Sequence, residues 1–339
     1  VGKAGIGHTR YATQGTGTTR EAQPLYVDKD PKVALAQNGN MVNYFEVKED
    51  LQKHGVDFET SVDTEVLLQE FYRAYERTGD VFAAAKDIYD HVRGAFAIVG
   101  LIPGKGLFCM RDPHGIRPLV LGKKGDAYAI ASETVAFQVT GFKFVRDVKP
   151  GEVIFISEDV QLQSKVIRQE RKAHCMFEWV YFASPNSMLA ERSVYKARLA
   201  LGQLISSRIK KSKTDVIVPV PDSGRTAAIK LAEATGIKYR EGLIKDRYIS
   251  RTFIMPSQKE REAMVSRKLN PVLSILEDQR VALIDDSIVR GTTSKRLVKI
   301  LKEAGIEEIT FVSACPPITH PCFYGIDMTT KKELIASQR

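Results

Sequence analysis

The chain has 339 residues, of which 43% are hydrophobic and 27% charged, and its net charge of +9 comes from 50 basic against 41 acidic side chains. Single hydrophobic cores stop growing at roughly 250 to 300 residues, so we expect two domains. No run approaches the roughly 18 apolar residues of a membrane helix, and nothing resembles a signal peptide, which predicts a cytoplasmic protein with no membrane partner.

The charge is unevenly distributed along the chain. Residues 1–160 hold 19 basic and 22 acidic side chains, whereas residues 161–339 hold 31 and 19, so we expect the second half to bind an anion. The four cysteines form no CxxC pair, which argues against a disulfide scaffold or a zinc finger. The chain begins with Val1, and its first residues already read like the middle of a folded segment, so we expect an N-terminal piece to be missing.

The first 160 residues are predicted to be rich in strands, with helices packed against them. The predicted strands are short apolar runs bounded by Gly, Pro and Asp, at 32–36, 94–102, 106–110, 117–122, 127–132 and 152–157. Apolar residues at spacings of three and four predict helices over 64–78 and 81–92. These patterns indicate a domain of two sheets with helices against them.

From about Val194 the pattern alternates between helix and strand. Helices are predicted over 196–209, 226–235 and 293–304, and strands over 215–220, 281–285 and 309–314. Such alternation predicts a parallel, doubly wound sheet, in which ligands bind beyond the carboxyl ends of the strands. The boundary between the two domains is expected within 158–180, and we place it at residue 165.

The segment VALIDDSIVRGTT (281–293) carries the most chemical information. A buried strand ends in Asp285 and Asp286, and a Gly291 turn then opens a helix whose N–H groups can cradle a phosphate. Because a phosphate repels carboxylates, the two aspartates are expected to bind sugar hydroxyls and Mg²⁺. A phosphorylated ribose fits this arrangement, and the alternative is an Asp pair that merely caps the next helix. No P-loop motif occurs, and no GxG continues into a dinucleotide fingerprint.

Segment 281–293 resembles the signature of type I phosphoribosyltransferases, which bind 5-phosphoribosyl-1-pyrophosphate (PRPP). More narrowly, the chain resembles the glutamine PRPP amidotransferase family. The segments that carry this resemblance are 218–224, 245–269, 281–293 and 320–327 in the second half and GHTRYAT (7–13), 35–43 and SVDTE (61–65) in the first.

The resemblance implies an N-terminal nucleophile hydrolase-like (αββα) glutaminase domain over 1–165 and an α/β type I phosphoribosyltransferase domain over 166–339. It also implies a reaction. Ammonia released from glutamine displaces pyrophosphate from C1 of PRPP and gives 5-phosphoribosylamine, the first step of de novo purine synthesis.

In the glutaminase half, the resemblance implies that Arg10 holds the carboxylate of glutamine and Asp63 its α-amino group. Asn38 and the N–H of Gly39 would form the oxyanion hole. The NGN segment is interpreted as a tight turn after a strand, and Gln37 stands where the family commonly has His. The family's nucleophile is an N-terminal cysteine, which Val1 does not supply, so we expect this nucleophile in a missing N-terminal segment.

In the transferase half, the resemblance implies a PRPP site built from two strand ends, the turn after the second, and a basic loop. Its residues are Ser223, Asp285, Asp286, Ser287, Arg290, Gly291, Thr292, Thr293, Ser294, Arg247 and Arg251. Asp285 and Asp286 would also hold Mg²⁺. The turn that contains Ser223 would bind pyrophosphate, with Arg225 as a further candidate ligand, and the basic loop 245–269 would close over it and exclude water.

Some members of the family carry a [4Fe-4S] cluster on four cysteines. Cys175 and Cys322 match two of these ligands, and the other two are expected beyond Arg339; the alternative is buried thiols. Feedback purine nucleotides and a homo-oligomer are further expectations. Two alternatives stay open, a nucleobase phosphoribosyltransferase and a PRPP-binding regulator, although we find no helix-turn-helix for nucleic acid.

Overall fold

The structure is a computed structural model and describes residues 2–10, 18–245, 269–306 and 308–338. It contains two compact units. Unit 1 comprises Val1–Met176, Asn186–Glu191 and Pro321–Thr329, and unit 2 comprises Phe177–Pro185, Arg192–His320 and Thr330–Arg339. The units are therefore more interleaved along the chain than a single boundary at residue 165 would make them. Among the described residues, no helix has the length and apolar character that crossing a bilayer requires.

Unit 1 contains two antiparallel sheets. The six-stranded sheet has the order β1-β2-β3-β4-β8-β9 and the three-stranded sheet the order β6-β5-β7. The strands are β1 (Leu25–Val27), β2 (Val33–Met41), β3 (Gly94–Ile102), β4 (Gly106–Arg111), β5 (Val120–Lys124), β6 (Ala127–Ala131), β7 (Lys143–Asp147), β8 (Glu152–Ser157), β9 (Leu162–Val166) and the two-residue β10 (Met188–Leu189). The helices are α1 (Tyr44–Lys53), α2 (Asp63–Thr78), α3 (Val81–His91) and α4 (Val135–Thr140).

The layers of unit 1 follow from the alternation of side chains along the strands. Phe96 and Ile98 of β3 face a core that they share with α2 and α3, whereas Ala97 faces a second core shared with the three-stranded sheet. On that sheet, Leu121 faces the second core, and α4 packs on the opposite side, where Phe137 lies against Gly122. The result is the predicted αββα arrangement.

Unit 2 is built around a four-stranded parallel sheet with the order β13-β12-β16-β17. Its strands are β11 (Arg192–Ser193), β12 (Val216–Pro219), β13 (Lys238–Tyr239), β14 (Leu243–Lys245), β15 (Leu269–Pro271), β16 (Val281–Asp285) and β17 (Ile309–Ser313). Its helices are α5 (Val194–Ile205), α6 (Arg225–Thr235), α7 (Leu273–Leu276) and α8 (Thr292–Glu303), with a π-helical turn at Glu178–Phe182.

Helices cover both faces of the parallel sheet. Ile217 and Ile284 pack against α5 and α6 on one face, whereas Val218 and Leu283 pack against α7 and α8 on the other. A separate antiparallel pair, β14 with β15, completes the unit. The predicted doubly wound α/β architecture is thus confirmed.

Two of the predicted elements that concern the site have other ends than expected, one strand at its carboxyl end and one helix at its start. The strand predicted over 32–36 continues to Met41, so the NGN segment lies inside β2 and is not a tight turn. It stays extended because all of β2 from Ala34 to Met41 pairs with β3 without a register shift. The helix predicted from Thr64 begins one residue earlier, at Asp63, and the residue before the helix is Val62.

Candidate functional site

In unit 1, the edge of β2 exposes a row of backbone N–H groups. Among the described residues, β1 pairs with Val33–Leu35, and the rest of β2 pairs with β3 on one side alone. On the open side, the N–H of Gln37 donates to Gln23 Oε1 at 2.7 Å and the N–H of Met41 donates to Asp63 Oδ2 at 3.0 Å. Because N–H direction alternates along a strand, the N–H of Gly39 points toward the same edge, between these two.

Position 39 has room for glycine alone. Its φ is +151°, and a Cβ added there would lie 1.9 Å from the carbonyl oxygen of Ala95 on β3. Asn38 precedes it on the same strand, paired with Ala97. The two residues predicted for the oxyanion hole therefore sit on a regular strand whose backbone is fixed by β3.

Asp63 turns its carboxylate toward this edge. It is the first residue of α2 and only 7% exposed, and its Oδ2 accepts hydrogen bonds from Met41 N at 3.0 Å and Gln37 Nε2 at 2.8 Å. Burial raises the pKa of Asp63, and the donated hydrogen bonds from Met41 and Gln37 oppose that rise. The structure thus brings Asp63 together with the strand that carries Asn38 and Gly39.

Arg10 already holds a carboxylate in this structure. Its Nη1 lies 3.0 Å from Oε2 of Glu21, which is 3% exposed and whose Oε1 also accepts a hydrogen bond from Ser61 at 3.3 Å. Ser61 is two residues before Asp63, so Glu21 connects Arg10 to the start of α2. Sequence reasoning missed Glu21, because nothing in its own segment suggests an arginine partner.

The segment that contains Phe323 and Gly325 contacts the part of β2 that carries Asn38 and Gly39. Within unit 1, Asn40 Nδ2 donates to the carbonyl of Phe323 at 2.9 Å and Arg117 Nη2 donates to the carbonyl of Gly325 at 2.8 Å. Gly325 lies so close to Gly39 that an added Cβ would be 3.2 Å from the Gly39 carbonyl oxygen. The motif at 320–327 was noticed in the sequence, but this placement was not predicted.

In unit 2, two buried carboxylates stand at the carboxyl end of β16. Asp286 accepts hydrogen bonds from the hydroxyls of Ser223, which follows β12, and Ser287. The N–H of Asp286 donates to Asp285 Oδ1 at 2.9 Å. Burial, and secondly the charge of Asp286, raise the pKa of Asp285 to about 7. Neighbouring strands β12 and β16 therefore place Ser223, Asp285 and Asp286 together.

The predicted phosphate turn connects β16 to α8. Gly291 adopts a left-handed conformation, with φ at +74°, directly before the helix, and Thr292 and Thr293 are exposed in the first turn of α8. The hydroxyl of Ser294 instead turns back to the carbonyl of Gly291 at 3.0 Å. This gives an open helix N-terminus, which is the geometry that favours anions.

Three of the predicted PRPP ligands are arginines, and the structure describes one of them, Arg290. Arg290 extends away from the turn to Glu333, with Nη2 at 2.7 Å and Nε at 2.8 Å from the same carboxylate oxygen. Arg247 and Arg251 lie outside the described residues. The side chain of Lys245, at the start of the same basic loop, contacts Asp222 at 3.0 Å.

The four cysteines differ in exposure. Burial raises the pKa of the Cys109 thiol well above its ordinary value and that of Cys315 to about 11, as expected for core thiols. Cys175 and Cys322 are partly buried and both belong to unit 1, and the N–H of Tyr324 donates to the sulfur of Cys322 at 3.3 Å. Within the described part of the chain, no cluster of three or more His, Cys, Asp or Glu side chains could hold a metal ion.

Comparisons with known proteins agree with this geometry. A glutamine amidotransferase domain model matches residues 8–139, and a phosphoribosyl transferase domain model matches residues 190–324. The amidophosphoribosyltransferase of Methanothermobacter thermautotrophicus is 46% identical over 339 residues, which is 100% of this chain and 71% of that protein. The amidophosphoribosyltransferase of Bacillus subtilis is 44% identical over 338 residues, covering 99% of this chain and 70% of the relative.

Solved structures show the same likeness. Glutamine PRPP amidotransferase from B. subtilis, complexed with ADP and GMP, matches with a TM-score of 0.86 and 42% identity, over 98% of this chain and 72% of that one. A structure described as the allosteric regulatory enzyme of purine biosynthesis matches with a TM-score of 0.87 and 43% identity, over 98% and 71%. On the identity of these relatives and the share of their length that it spans, this chain belongs to the amidophosphoribosyltransferase family.

Proposed function

We propose that unit 1 binds glutamine at the edge of β2 and stabilises the oxyanion formed in its hydrolysis, and that unit 2 binds PRPP at the carboxyl ends of β12 and β16, where ammonia displaces pyrophosphate from C1. The observation that carries the proposal is the meeting of Ser223, Asp285 and Asp286 beside the helix N-terminus that follows Gly291. A phosphorylated sugar needs both features, since its phosphate requires N–H donors and its hydroxyls require acceptors.

For glutamine, we assign Arg10 to the α-carboxylate, Asp63 to the α-amino group, and Asn38 with the Gly39 N–H to the tetrahedral oxyanion. An oxyanion hole needs donors that are fixed before the reaction, because their reorganisation would otherwise add to the barrier. The steric limit at Gly39 against Ala95 supports such rigidity. Glu21 holds Arg10 in the absence of glutamine, so the α-carboxylate of the substrate would take the place of a protein carboxylate.

For PRPP, we assign the ribose hydroxyls to Asp285 and Asp286 and the 5-phosphate to the turn from Ser287 through Thr293. Burial, and secondly the neighbouring charge of Asp286, raise the pKa of Asp285, and carboxylate oxygens of this kind suit Mg²⁺. Asp285 and Asp286 would hold Mg²⁺, which would neutralise charge on the departing pyrophosphate. Ser287, Ser294 and Arg290 keep the roles expected from the sequence as part of this proposal.

The second step, in which ammonia displaces pyrophosphate, then depends on positioning of the reactants more than on proton transfer. The carboxylates orient the ribose, the turn anchors its phosphate, and the loop after β12 receives the pyrophosphate, so that C1 faces the incoming ammonia. The nitrogen lone pair forms the new C1–N bond as the C1–O bond breaks, and pyrophosphate leaves with the bonding electrons. The proton that ammonia loses passes to solvent.

Pyrophosphate release with ammonium chloride as the nitrogen source tests this proposal without requiring the glutaminase half. We expect the purified chain, with PRPP and MgCl₂, to release pyrophosphate only when ammonium is present. Release that instead needs adenine, guanine or hypoxanthine would favour a nucleobase phosphoribosyltransferase. PRPP binding without turnover under any acceptor would favour a PRPP-binding regulator.

The remaining expectations stay proposals. The B. subtilis relative was solved with ADP and GMP, which supports control of this chain by purine nucleotides. Cys175 and Cys322 would be two ligands of an iron–sulfur cluster, but two thiolates alone do not hold one, so we derive no step from it. The domain ranges 1–165 and 166–339, the homo-oligomer and the cytoplasmic location likewise stay predictions.

A further inference from the structure

The loop between β12 and α6 carries a carboxylate that forms ion pairs with two basic side chains from neighbouring elements. Asp222 lies in this loop, beside Ser223, and its carboxylate contacts two cations. Arg225 Nη1 is 2.8 Å from Asp222 Oδ1, and Lys245 Nζ is 3.0 Å from Asp222 Oδ2. All three side chains are about half exposed. Within the described part of the chain, one carboxylate therefore bridges two cations beside the proposed pyrophosphate subsite.

Arg225 has a second partner that keeps it in place. Its Nε lies 3.3 Å from the carboxylate of Glu241, which also accepts a hydrogen bond from the hydroxyl of Tyr239. Loss of the contact with Asp222 would thus leave the guanidinium anchored on its Nε side, with its Nη1 group free to bind another anion. Lys245 ends β14 and is placed by the pairing of Lys245 with Leu269 on β15.

We propose that Asp222 occupies the pyrophosphate subsite in the ligand-free state and sets its affinity, because pyrophosphate must displace this carboxylate from Arg225 and Lys245. The inference rests on the proposed function, since it requires pyrophosphate to bind in the loop after β12. Asp222 then acts in two ways. It competes for the two cations, and it repels the highly charged ligand once displaced.

The consequence for the reaction is a lower affinity for the product, pyrophosphate. A loop whose cations had no carboxylate partner would bind pyrophosphate more tightly, because no ion pair would have to be broken. Displacement of Asp222 costs free energy for both ligands, and its return to Arg225 and Lys245 accompanies product release. Asp222 is thus assigned as a residue that determines affinity, not as a catalytic residue.

Isothermal titration of inorganic pyrophosphate and, separately, of PRPP into the full chain tests the inference. Asp222→Asn keeps the size of the side chain and removes its charge, and we expect it to bind pyrophosphate about fivefold more tightly, as expected from two partly exposed ion pairs. Glu303→Gln is the matched control. It removes one carboxylate from unit 2 at the far end of α8, where Glu303 pairs with Lys299, and its affinity should equal that of the unmodified chain.

The double variant separates competition from a general charge effect. In Arg225→Met, pyrophosphate should bind more weakly, and adding Asp222→Asn should then give a smaller gain than in the native background, because one of the contested cations is gone. Higher salt should reduce every one of these differences.

Three outcomes overturn the inference. Asp222→Asn could bind pyrophosphate as the unmodified chain does, or more weakly, which would make Asp222 a spectator or a contact to the ligand. An equal gain in Glu303→Gln would reduce the effect to net charge. The failure of the proposed function looks different, because neither PRPP nor pyrophosphate would then bind to any of the chains.

Discussion

The side chain of Gln37 donates a hydrogen bond of 2.8 Å from its Nε2 to the buried carboxylate of Asp63. Both residues lie beside the open edge of β2, Gln37 on the strand and Asp63 at the start of α2. Asp63 is the group proposed to bind the α-amino group of glutamine, so we predict that Gln37 orients this carboxylate instead of contacting the substrate. This gives a role to the position at which the sequence departs from the family pattern.

Replacement of Gln37 should therefore weaken glutamine binding through Asp63. In Gln37→Leu, Asp63 keeps its hydrogen bond from Met41 but loses the one that Gln37 donates to Oδ2, and leaving a buried charged group short of a partner costs about 1 to 3 kcal/mol. We expect a lower free energy of unfolding and a higher Kd for glutamine by titration calorimetry. Gln52→Leu, at an exposed position of α1, is the control. Unchanged glutamine affinity in Gln37→Leu would contradict this role.

The raised pKa of Asp63 predicts a pH dependence of stability. The ordinary pKa of an aspartate is about 3.9, and the folded value lies above it because of burial. A raised folded pKa means that the contribution of Asp63 to stability is fully present below about pH 4 and is lost as the pH rises through the folded pKa. The free energy of unfolding of the native chain, minus that of Asp63→Asn, should fall between pH 4 and 7 in urea titrations. A difference that rises with pH would refute this assignment.

Replacement of Gly39 by alanine should destabilise the chain more than replacement of Gly104 does. Gly104→Ala, in a left-handed turn with no atom within 4 Å of an added Cβ, should cost about 1 to 2 kcal/mol from backbone conformation alone. Gly39→Ala should cost clearly more, because overpacking against the Ala95 carbonyl adds about 1 to 3 kcal/mol. Urea unfolding of the two variants compares these costs, and equal values would mean that the β3 backbone yields easily.

Asp286 should dominate PRPP binding in unit 2. The hydroxyls of Ser223 and Ser287 donate to Asp286 and orient its carboxylate, and a hydrogen bond from a ribose hydroxyl to this charged group would contribute about 1.5 to 3 kcal/mol. We expect Asp286→Asn to raise the Kd for PRPP by at least about tenfold, the loss of one such interaction. Asp278→Asn, which removes the same charge at an exposed position of unit 2, should bind PRPP normally. Similar losses in both variants would point to net charge.

The elements that the sequence predicted well are those whose pattern is local. The strands at 94–102, 152–157 and 281–285 have the predicted bounds, because each is a continuous apolar run that its neighbours bury on both faces. Asp285, Asp286 and Gly291 also follow from local pattern, since a strand, an acidic pair and a helix start adjoin one another in sequence. Helix α5 begins at Val194 and not at residue 196 as predicted, because capping by Ser193 was not recognised.

The parts that could not be predicted depend on tertiary pairing. The NGN segment is typical of a turn, and only its pairing with β3 shows why it is a strand. Arg10 was predicted, but its partner Glu21 was not, and the bridge from Asp222 to Lys245 joins residues that no periodicity relates. In each case the partner is chosen by the fold, which brings distant segments together.

Phosphorus NMR of PRPP turnover, with ammonium as the nitrogen source, tests the central claim most directly. The claim is that Asp285 and Asp286, at the end of β16, hold the PRPP whose pyrophosphate ammonia displaces. We predict that the native chain converts the PRPP signals into those of free pyrophosphate and a phosphoribosyl product when ammonium is added, and that Asp285→Asn combined with Asp286→Asn does not. Conversion that continues at the native rate in this double variant, or no conversion by the native chain, would contradict the account.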